Sequence, residues 1–497
     1  MSSKSWTLPR LSESGPSAHT LLNSVRFTYA LCAFTSSCLH STMRGILGII
    51  ILQMVMPRPE DHVEHVFEVK NNATAISRCN SLQQDDSPLL KMSLSGDLQW
   101  SRKQELTFPG IYYYGYVVSV FFSGSLADRF SRKNILVLSH ILEAICYLLL
   151  PPMAHHSFEA AAATLVLCGV LGGCGSPAMY KLFVIWAHPT ERTALVSFAC
   201  SGVLVGSMLA YPVVGFLGEF SWELPFFLVG AMALLFGFCS FWLIYDTLEQ
   251  HPRISQHELK YLQHGSLISS QQVAGVPWRS LIHSRPVYAF MLTHLFHCYT
   301  FLMLSTWLPR FLLEAMQLNL RQVVLTATVA FLGALASKLV CILGASYLER
   351  RVWPNQDWMR RVLYGMCSIL SISFIFVIIL ADCRDQTLVI IMFVLLKTTT
   401  DLGFNCYWPT LLYMAPSFAG MLSGFANGFA HLSGFLAPLL VASLVETGSK
   451  SEWNVGLMTL IVGNALALLV FGIFSSTILQ NWDPCSLTNP SRSIETK

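Results

Sequence analysis

The stretch Gly124-Ser-Leu-Ala-Asp-Arg-Phe-Ser-Arg-Lys133 lies between two segments that are each apolar and long enough to cross a membrane. Its charged residues are one acid and three bases: Asp128, Arg129, Arg132 and Lys133. Small residues such as Gly124 let two helices approach closely, and Asp128 can cap a helix or pair with the arginines. The stretch therefore predicts a tight turn between membrane helices whose charges form a releasable conformational lock. A solvated turn that only obeys the positive-inside rule would explain the cations alone.

The composition is that of a membrane protein. Of the 497 residues, 53% are hydrophobic and 12% are charged, and the charged share is about half that of an average soluble protein. Apolar stretches of about 20 residues recur along the chain and predict twelve membrane helices, here called spans 1 to 12. They run near residues 27–56, 107–127, 134–153, 158–186, 194–218, 224–245, 287–312, 322–347, 361–381, 386–413, 418–445 and 454–478.

The distribution of charge predicts the topology. Lys and Arg side chains concentrate in the N-terminal tail (1–26), in alternate loops and in the longest connection (247–286), which places both termini in the cytoplasm. The opposite side carries an acidic loop, 57–106, in which Asn72-Ala-Thr74 is a predicted glycosylation site. The polar tail lacks a short apolar core with a small-residue cleavage site, so we expect span 1 itself to target the membrane.

The connection 247–286 divides the chain into two six-helix halves, 27–246 and 287–478, which are followed by a cytoplasmic C-terminal tail, 479–497. Such a division is typical of transporters built from two repeated bundles with the substrate site between them. Within the connection, Ser255-Gln-His-Glu258 has the pattern of a capping box and predicts a short helix on the membrane surface.

Most of the 14 cysteines lie inside predicted spans, where Cys is a small apolar residue. Only Cys79 and Cys383 are expected on the oxidising side of the membrane. Because a bridge between them would oppose relative movement of the two halves, we do not expect one. The cysteine pattern therefore predicts no disulfide framework.

Short loop motifs spread over nearly the whole chain resemble those of one transporter family. They are His251-Pro-Arg-Ile-Ser255 with Glu258 and Tyr261, Val276-Pro-Trp278, Ser284-Arg-Pro-Val-Tyr288, Trp186-Ala-His-Pro-Thr-Glu-Arg192, Ala415-Pro-Ser-Phe-Ala-Gly420, Glu452-Trp453 and Gln480-Asn-Trp482. Each motif is unspecific alone, but together and in this order they are specific. By these motifs the chain is similar to solute carrier family 17, which includes sialin, the vesicular glutamate transporters and the sodium-phosphate cotransporters.

The resemblance implies an all-α membrane protein with twelve transmembrane helices in two six-helix bundles, the major facilitator fold. It also implies a carrier of organic or inorganic anions that needs no cofactor and is commonly driven by a proton gradient, a sodium gradient or the membrane potential. The expected partners are a small anionic substrate and the lipid bilayer, and we expect a monomer. The predicted location is the plasma membrane or a lysosomal or vesicular membrane.

Arg44 is the strongest candidate for binding the substrate. It lies near the middle of span 1, where a permanent cation is costly unless it faces protein or water, and the family carries an anion-linked arginine at this place. A guanidinium can bind a carboxylate or phosphate through two parallel hydrogen bonds. The alternative is an arginine paired internally for stability. His40, one turn earlier, and Lys181 in span 4 are further candidates, although Lys181 is close enough to the cytoplasmic end to reach the headgroups.

Lys397 and Asp401 lie four residues apart on one face of span 10, near the middle of the membrane. Protonation of the acid would leave its partner unpaired in a low dielectric, so the pair is a candidate for proton coupling. A fixed structural ion pair is the alternative. On span 7, His294 is a candidate coupling residue and His297 a candidate substrate-binding residue, and either can instead be a core histidine.

The chain departs from the family at several polar positions. The family's paired arginine and glutamate of span 4 fall at Cys168 and Gly172, which removes a substrate cation and a carboxylate associated with proton coupling. The family's asparagine and aspartate near the end of span 10 fall at Thr410 and Tyr413. We interpret the mid-membrane charges that are unusual for the family as a relocation of the charged machinery.

The sequence thus predicts a secondary carrier that works by alternating access, with H⁺ or Na⁺ as the coupling ion. The alternative is a transport-inactive receptor or scaffold that kept the fold. The exposed segments contain no metal-ligand spacing, nucleophile elbow or phosphate-binding loop, so neither an enzyme nor a metal site is predicted, and the net charge of +3 gives no indication of nucleic acid. Glu143 in span 3 and Lys338 in span 8 are expected to be structural or to support the site from outside it.

Overall fold

The computed structural model describes residues 24–56, 96–270, 277–347 and 355–484. Over these residues the chain is helical apart from turns, short connections and one isolated β-bridge between Val55 and Leu98, which confirms the predicted all-α architecture. The predicted glycosylation site Asn72 and the tails 1–23 and 485–497 lie outside the described residues.

Twelve long helices, several of them interrupted, correspond to the predicted spans within the described residues. Those of the first half are Val25–Met54, Arg102–Arg129, Arg132–His156, Phe158–Trp186, Pro189–Leu217 and Leu224–Leu243. Span 7 comprises Arg285–Leu302, a π-helical turn Met303–Trp307 and Leu308–Glu314; span 8 is Leu320–Tyr347, span 9 Gln356–Leu380, span 10 Gln386–Tyr407 with Thr410–Met414, span 11 Ala419–Ala430 with Ser433–Leu444, and span 12 Lys450–Phe474. Two shorter helices, Gln256–Ser270 and Trp278–Ile282, lie between the halves.

Spans 1 and 2 differ from the others in polarity. Ten of the described helices are long and apolar enough to cross a membrane, as judged by length and composition. The helices of spans 1 and 2 are equally long but carry more polar residues along their length. Polar side chains inside a membrane face protein or water rather than lipid, so these two helices are expected to line a polar site between the bundles.

Span 2 begins at Arg102, earlier than the predicted residue 107. Ser101 and Gln104 cap its first turn reciprocally, each side chain accepting a hydrogen bond from the backbone N–H of the other. This capping box satisfies N–H groups that have no partner inside the helix, and it therefore extends the helix into the polar loop.

Spans 2 and 4 pack with their backbones almost in contact. A Cβ atom at Gly169 would lie 1.9 Å from the carbonyl oxygen of Tyr112, and one at Gly115 would lie 2.0 Å from that of Val166. Only glycine permits this separation, as is common where membrane helices associate through small residues. This close contact between the two backbones holds span 2 in one rotation about its axis, and so determines where Tyr112 lies.

Spans 7 and 11 are interrupted near their middles. In span 7 the π-helical turn Met303–Trp307 comes immediately before Leu308 and Pro309, and proline has no N–H group to donate. In span 11 the helix stops at Ala430 and resumes at Ser433, which leaves His431 at the break. Interruptions of this kind are frequent at functional sites.

The end of the molecule that carries the helix Gln256–Ser270 is here called the linker end. The Glu258 carboxylate accepts hydrogen bonds from the backbone N–H groups of Val25 and Arg26, both at 3.2 Å. The Arg26 side chain forms an ion pair with Glu191 at 3.2 Å. The Ser255 hydroxyl accepts from the Glu258 N–H at 3.1 Å, which agrees with the predicted cap. The linker helix thus holds the start of span 1.

The turn between spans 2 and 3 also lies at the linker end, and Asp246 holds it from the end of span 6. The Asp246 carboxylate accepts hydrogen bonds from the Lys133 backbone N–H at 2.8 Å and from the Ser131 hydroxyl. The Lys133 ammonium lies 4.5 Å from the centre of the Phe241 ring and 4.6 Å from that of Tyr245. The start of span 3 is therefore stabilised by a carboxylate from the same bundle.

At the opposite end, here called the distal end, an ion-pair network joins the two halves. Arg102 of span 2 donates two hydrogen bonds, of 2.6 and 2.7 Å, to Glu314 of span 7. Arg310 donates to Glu314 and to Glu105, both at 2.6 Å. The Trp453 indole N–H donates to Glu314 at 3.0 Å. Arg310 is only 2% exposed, so its ion pairs are screened little by salt, whereas the side chains of Arg102 and Glu314 are 18% and 20% exposed.

Packing next to this network also brings the halves together. The Tyr211 hydroxyl of span 5 donates to the Ser305 carbonyl oxygen of span 7 at 2.8 Å. A Cβ atom at Gly48 of span 1 would lie 3.1 Å from Thr306, so these helices are in close contact. The two bundles therefore meet at the distal end, and these contacts have to separate before a site between the bundles can open there.

Cys383, between spans 9 and 10, is disulfide-bonded, so one cysteine expected on the oxidising side is paired. Its partner lies outside the described residues.

We predict that Glu314→Gln lowers the apparent melting temperature of the purified protein in detergent. The change removes the carboxylate charge shared by Arg102 and Arg310, and breaking a buried pair costs on the order of 3 kcal/mol. Glu446→Gln, an exposed position at the same end, is the control and should melt like the unaltered protein. Equal melting of all three proteins would contradict a stabilising role for the network.

Candidate functional site

Arg44 lies in the helix of span 1 and is half-buried. Its guanidinium carbon is 5.9 Å from the centre of the Tyr116 ring, and its Nη2 is 3.5 Å from the Ser41 hydroxyl oxygen. The charge also interacts with His431 and Cys298 of the opposite bundle. Among the described residues no carboxylate forms an ion pair with Arg44. Glu143 of span 3 nevertheless interacts electrostatically with Arg44, so an arginine compensated inside the protein stays the alternative.

A buried carboxylate cluster lies one turn from Arg44. Glu143, 2% exposed, has its two carboxylate oxygens 3.1 and 3.2 Å from His40 Nδ1. The Tyr112 hydroxyl donates to Glu143 Oε1 at 3.3 Å and is also 3.3 Å from His40 Nε2. His140 Nδ1 is 3.9 Å from Glu143 Oε2, and its other ring nitrogen contacts the Ser36 hydroxyl. The structure thus brings Glu143 into direct contact with a predicted site residue, closer than the sequence indicated.

Tyrosines of span 2 connect this cluster to the second bundle. The ring centres of Tyr112 and Tyr116 are 5.8 Å apart, and that of Tyr116 is 4.8 Å from the His431 ring of span 11. Tyr113 lies 6.0 Å from the same histidine. His431 Nδ1 is 2.6 Å from the Asn427 carbonyl oxygen. A change of charge at Arg44 or Glu143 is therefore adjacent to the interface that has to move during alternating access.

The second bundle has its own polar cluster, centred on His294 of span 7. His294 Nδ1 is 2.8 Å from the Tyr407 hydroxyl oxygen of span 10, and Nε2 is 3.0 Å from the Asn427 side-chain oxygen of span 11. His297, one turn later, is buried with its ring centre 5.4 Å from those of Phe404 and Tyr407. The two histidines thus tie three helices of this bundle together.

Lys397 and Asp401 form the predicted ion pair, with Lys397 Nζ 2.8 Å from Asp401 Oδ2. Lys397 is 1% exposed, and its ammonium lies 3.8 Å from the centre of the Phe301 ring and 4.6 Å from that of Phe331. Lys338 of span 8 also interacts electrostatically with Asp401. The acid is therefore near two lysines, and the buried lysine has two aromatic faces that can stabilise its charge.

Other predicted residues lie apart from these clusters. Lys181 is half-buried in the part of span 4 nearest the linker end. In the turn between spans 2 and 3, Arg129 is exposed and Arg132 is half-buried, whereas the side chains of Gly124 and Asp128 lie outside the described residues. The role of this turn as a lock stays a prediction.

Sequence reasoning missed several polar residues that complete the site. These are Tyr112, Tyr116, His140, Asn427 and His431. A signal was present, since each lies one helical turn from another polar residue on the same helix, as Asn427 does from His431. What the sequence does not contain is the rotation of each helix, which decides whether such a pair faces lipid, core or cavity. Within the described residues, no group of three or more His, Cys, Asp or Glu side chains is arranged to hold a metal ion.

Comparisons with known proteins agree with this architecture. The model of the Major Facilitator Superfamily matches residues 87–438. Sialin of Ovis aries is 26% identical over 469 residues, which cover 92% of this chain and 91% of that protein. Vesicular glutamate transporter 1 of Xenopus tropicalis is 22% identical over 468 residues, covering 92% of this chain and 76% of that protein. These relatives confirm the resemblance to solute carrier family 17.

Solved structures share the fold. A D-xylose-proton symporter superposes with a TM-score of 0.63 at 12% identity, over 91% of this chain and 99% of that one. A bacterial homologue of the human lysosomal transporter Spinster gives a TM-score of 0.61 at 13% identity, over 90% of this chain and 98% of that one. Because the family match covers residues 87–438 and the shared fold extends over almost the whole chain, the chain belongs to the Major Facilitator Superfamily of membrane transporters.

Proposed function

We propose that this chain is a secondary transporter that carries a small organic or inorganic anion across a membrane by alternating access. The observation that carries the proposal is Arg44, a permanent cation in a membrane-spanning helix that forms no ion pair with a carboxylate among the described residues. A cation in this position is stabilised by an anion that arrives from outside the protein. A guanidinium also favours planar anions such as carboxylates, because it can donate two parallel hydrogen bonds.

The relatives support this class of substrate. Sialin and the vesicular glutamate transporters align with almost the whole chain, and the name of the second group specifies an anion, glutamate. In the proposed site Arg44 and His40 approach the anion from span 1 and His297 approaches it from span 7. Lys181, in span 4, contributes positive charge on the linker side. Binding between the bundles would let the anion control their relative position.

We propose that H⁺ or Na⁺ drives the transport, with Asp401, Lys397 and His294 in the coupling machinery. Protonation of Asp401 would weaken its pair with Lys397. The faces of Phe301 and Phe331 would then stabilise the lysine that has lost its counter-charge, so the pair can open without exposing a bare cation to the core. A fixed structural pair is the alternative, and the two roles differ in the response to a proton gradient.

Conformational change requires both ends to respond. The distal network of Arg102, Arg310 and Glu314 would break when the site opens at that end. The lock at the linker end would re-form its contacts when the site is open at the distal end. Its residues are Gly124, Asp128, Arg129, Arg132 and Lys133.

The distribution of charge indicates the orientation in the membrane, and the origin of both bundles in one polypeptide indicates the assembly. The chain is an integral multi-pass membrane protein, and we propose that its termini are cytoplasmic because Lys and Arg concentrate on that side. The membrane is the plasma membrane or that of a lysosome or vesicle. The site is complete within one chain, since both bundles that form it belong to the same polypeptide, and we propose a monomer.

The rival function is that of a transport-inactive receptor or scaffold. Counter-flow in proteoliposomes separates the two, using labelled phosphate, urate, sialate and glutamate under imposed proton, sodium and voltage gradients. A transporter exchanges at least one of these anions in a saturable manner. Absence of saturable exchange with all four, in protein that is monodisperse and correctly inserted, would favour the rival.

We predict that Arg44→Lys sharply reduces saturable counter-flow while the protein still reaches the membrane. The substitution keeps the charge and loses the paired hydrogen bonds of the guanidinium. Arg321→Lys, an exposed arginine at the start of span 8, is the matched control and should exchange at the rate of the unaltered protein. Undiminished exchange by Arg44→Lys would remove Arg44 from the substrate site.

We predict that Asp401→Asn retains exchange without a gradient and loses acceleration by an inward proton gradient, because the amide can hydrogen-bond but cannot change charge. Combining Asp401→Asn with Lys397→Met should raise expression above that of Lys397→Met alone, since the double variant has no lone buried carboxylate. Full proton-driven accumulation by Asp401→Asn would leave the pair with a structural role only.

A further inference from the structure

Glu143 is a buried carboxylate that contacts two histidines and a tyrosine. Its two oxygens are held by His40 and Tyr112, and it is 2% exposed. The side chains of His40 and His140 are 11% and 13% exposed, so both neighbouring histidines are more accessible than the acid. A buried carboxylate inside a membrane-spanning bundle is costly in its ionised form unless it has a partner of opposite charge.

Gly172 provides the space for this carboxylate. A Cβ atom at Gly172 would lie 2.1 Å from the Tyr112 hydroxyl oxygen, 2.6 Å from Glu143 Oε1 and 2.7 Å from His40 Cε1. Any side chain at this position of span 4 would therefore displace all three groups. The carboxylate of Glu143, from span 3, fills the volume that a side chain at position 172 of span 4 would occupy. The glycine at this position, where the family has a glutamate, therefore makes room for Glu143.

Among the described residues that face Glu143, Arg44 carries the one permanent charge. The titratable and charged groups that face it are His40 and Arg44 from span 1, Tyr112 from span 2, Cys168 from span 4 and, from span 3 itself, His140, Cys146 and Tyr147. When the site is empty, an ionised Glu143 compensates the guanidinium of Arg44 in part, although the two form no direct ion pair. An anion bound to Arg44 would add a second negative charge to the same low-dielectric region.

We propose that Glu143 is the group that takes up a proton when the anion binds, so that one site links anion binding to proton binding. The proton comes from solution through His40 and forms an O–H bond on the carboxylate, which removes its negative charge as the anion supplies its own. Release of the anion reverses the step, because Arg44 again stabilises the ionised acid. This rests on the proposed anion transport and narrows its coupling ion to H⁺.

Glu143 and Asp401 act at different steps of transport. Glu143 lies beside Arg44 and responds to occupancy of the site, whereas Asp401 is paired with Lys397 in the opposite bundle and would respond during the conformational change. Removing the titrating carboxyl group of either Glu143 or Asp401 abolishes gradient-driven accumulation. Only removal of the Glu143 carboxyl group abolishes the proton uptake that accompanies anion binding.

The test measures proton uptake directly. Phosphate, urate, sialate and glutamate are added in turn to purified protein in weakly buffered detergent solution that contains a pH indicator. We expect alkalinisation with the anion that exchanges in vesicles, its loss in Glu143→Gln and its persistence in Asp401→Asn. Counter-flow by Glu143→Gln should depend less on pH than counter-flow by the unaltered protein, because Asp401 remains the second titrating acid.

The outcomes separate this inference from the proposed function. Proton uptake by Glu143→Gln equal to that of the unaltered protein overturns the inference and leaves anion transport standing. Saturable exchange that is missing from the unaltered protein overturns both. Should Glu143→Gln be poorly folded, Glu143→Asp gives the second comparison, because it keeps the titrating group and should retain proton uptake.

Gly172→Ala tests the geometry independently. Its methyl group would collide with Tyr112 and Glu143, so proton uptake and pH-dependent exchange should both fall. Gly456→Ala, which meets no atom within 4 Å, is the matched control and should behave as the unaltered protein. Normal proton uptake by a well-folded Gly172→Ala variant would contradict the proposed arrangement.

Discussion

The cation of Arg44 is the constraint on which the functional part of the structure depends. A guanidinium inside a membrane-spanning helix costs about 3 kcal/mol or more, so the surrounding helices have to supply polar or negative groups. Spans 2, 3 and 11 do so through Tyr116, Glu143 and His431, none of which forms a direct ion pair with it. The partial compensation leaves the site receptive to an anion.

Rigid packing within each bundle and an ion-pair network between the bundles at the distal end suit such a site. The backbones of spans 2 and 4 are in contact at Gly115 and Gly169, which keeps Tyr112 and its neighbours in place. The halves meet through the network of Arg102, Arg310 and Glu314 at the distal end. The molecule thus places its reversible contacts where alternating access requires movement.

The sequence predicted the parts of this structure that depend on local composition. Twelve spans, the connecting helix and its cap at Ser255 follow from apolar length and from residue types at fixed spacing. The pair Lys397 and Asp401 was also predictable, because residues four apart on one helix are always neighbours.

The contacts between helices were not predictable in the same way. Glu143 was expected outside the site, since its contact with His40 depends on how spans 1 and 3 are rotated and on the missing side chain at Gly172. His431 was overlooked because the break in span 11 is a feature of packing rather than of hydropathy.

The central claim is that an anion binds to Arg44 between the bundles. An experimental structure in lipid nanodiscs, determined with whichever of phosphate, urate, sialate or glutamate exchanges in vesicles, tests it most directly. We expect the anion within hydrogen-bonding distance of the Arg44 guanidinium, with span 1 on one side and spans 7 and 11 on the other. An anion bound elsewhere, with Arg44 turned toward a protein carboxylate, would contradict the claim.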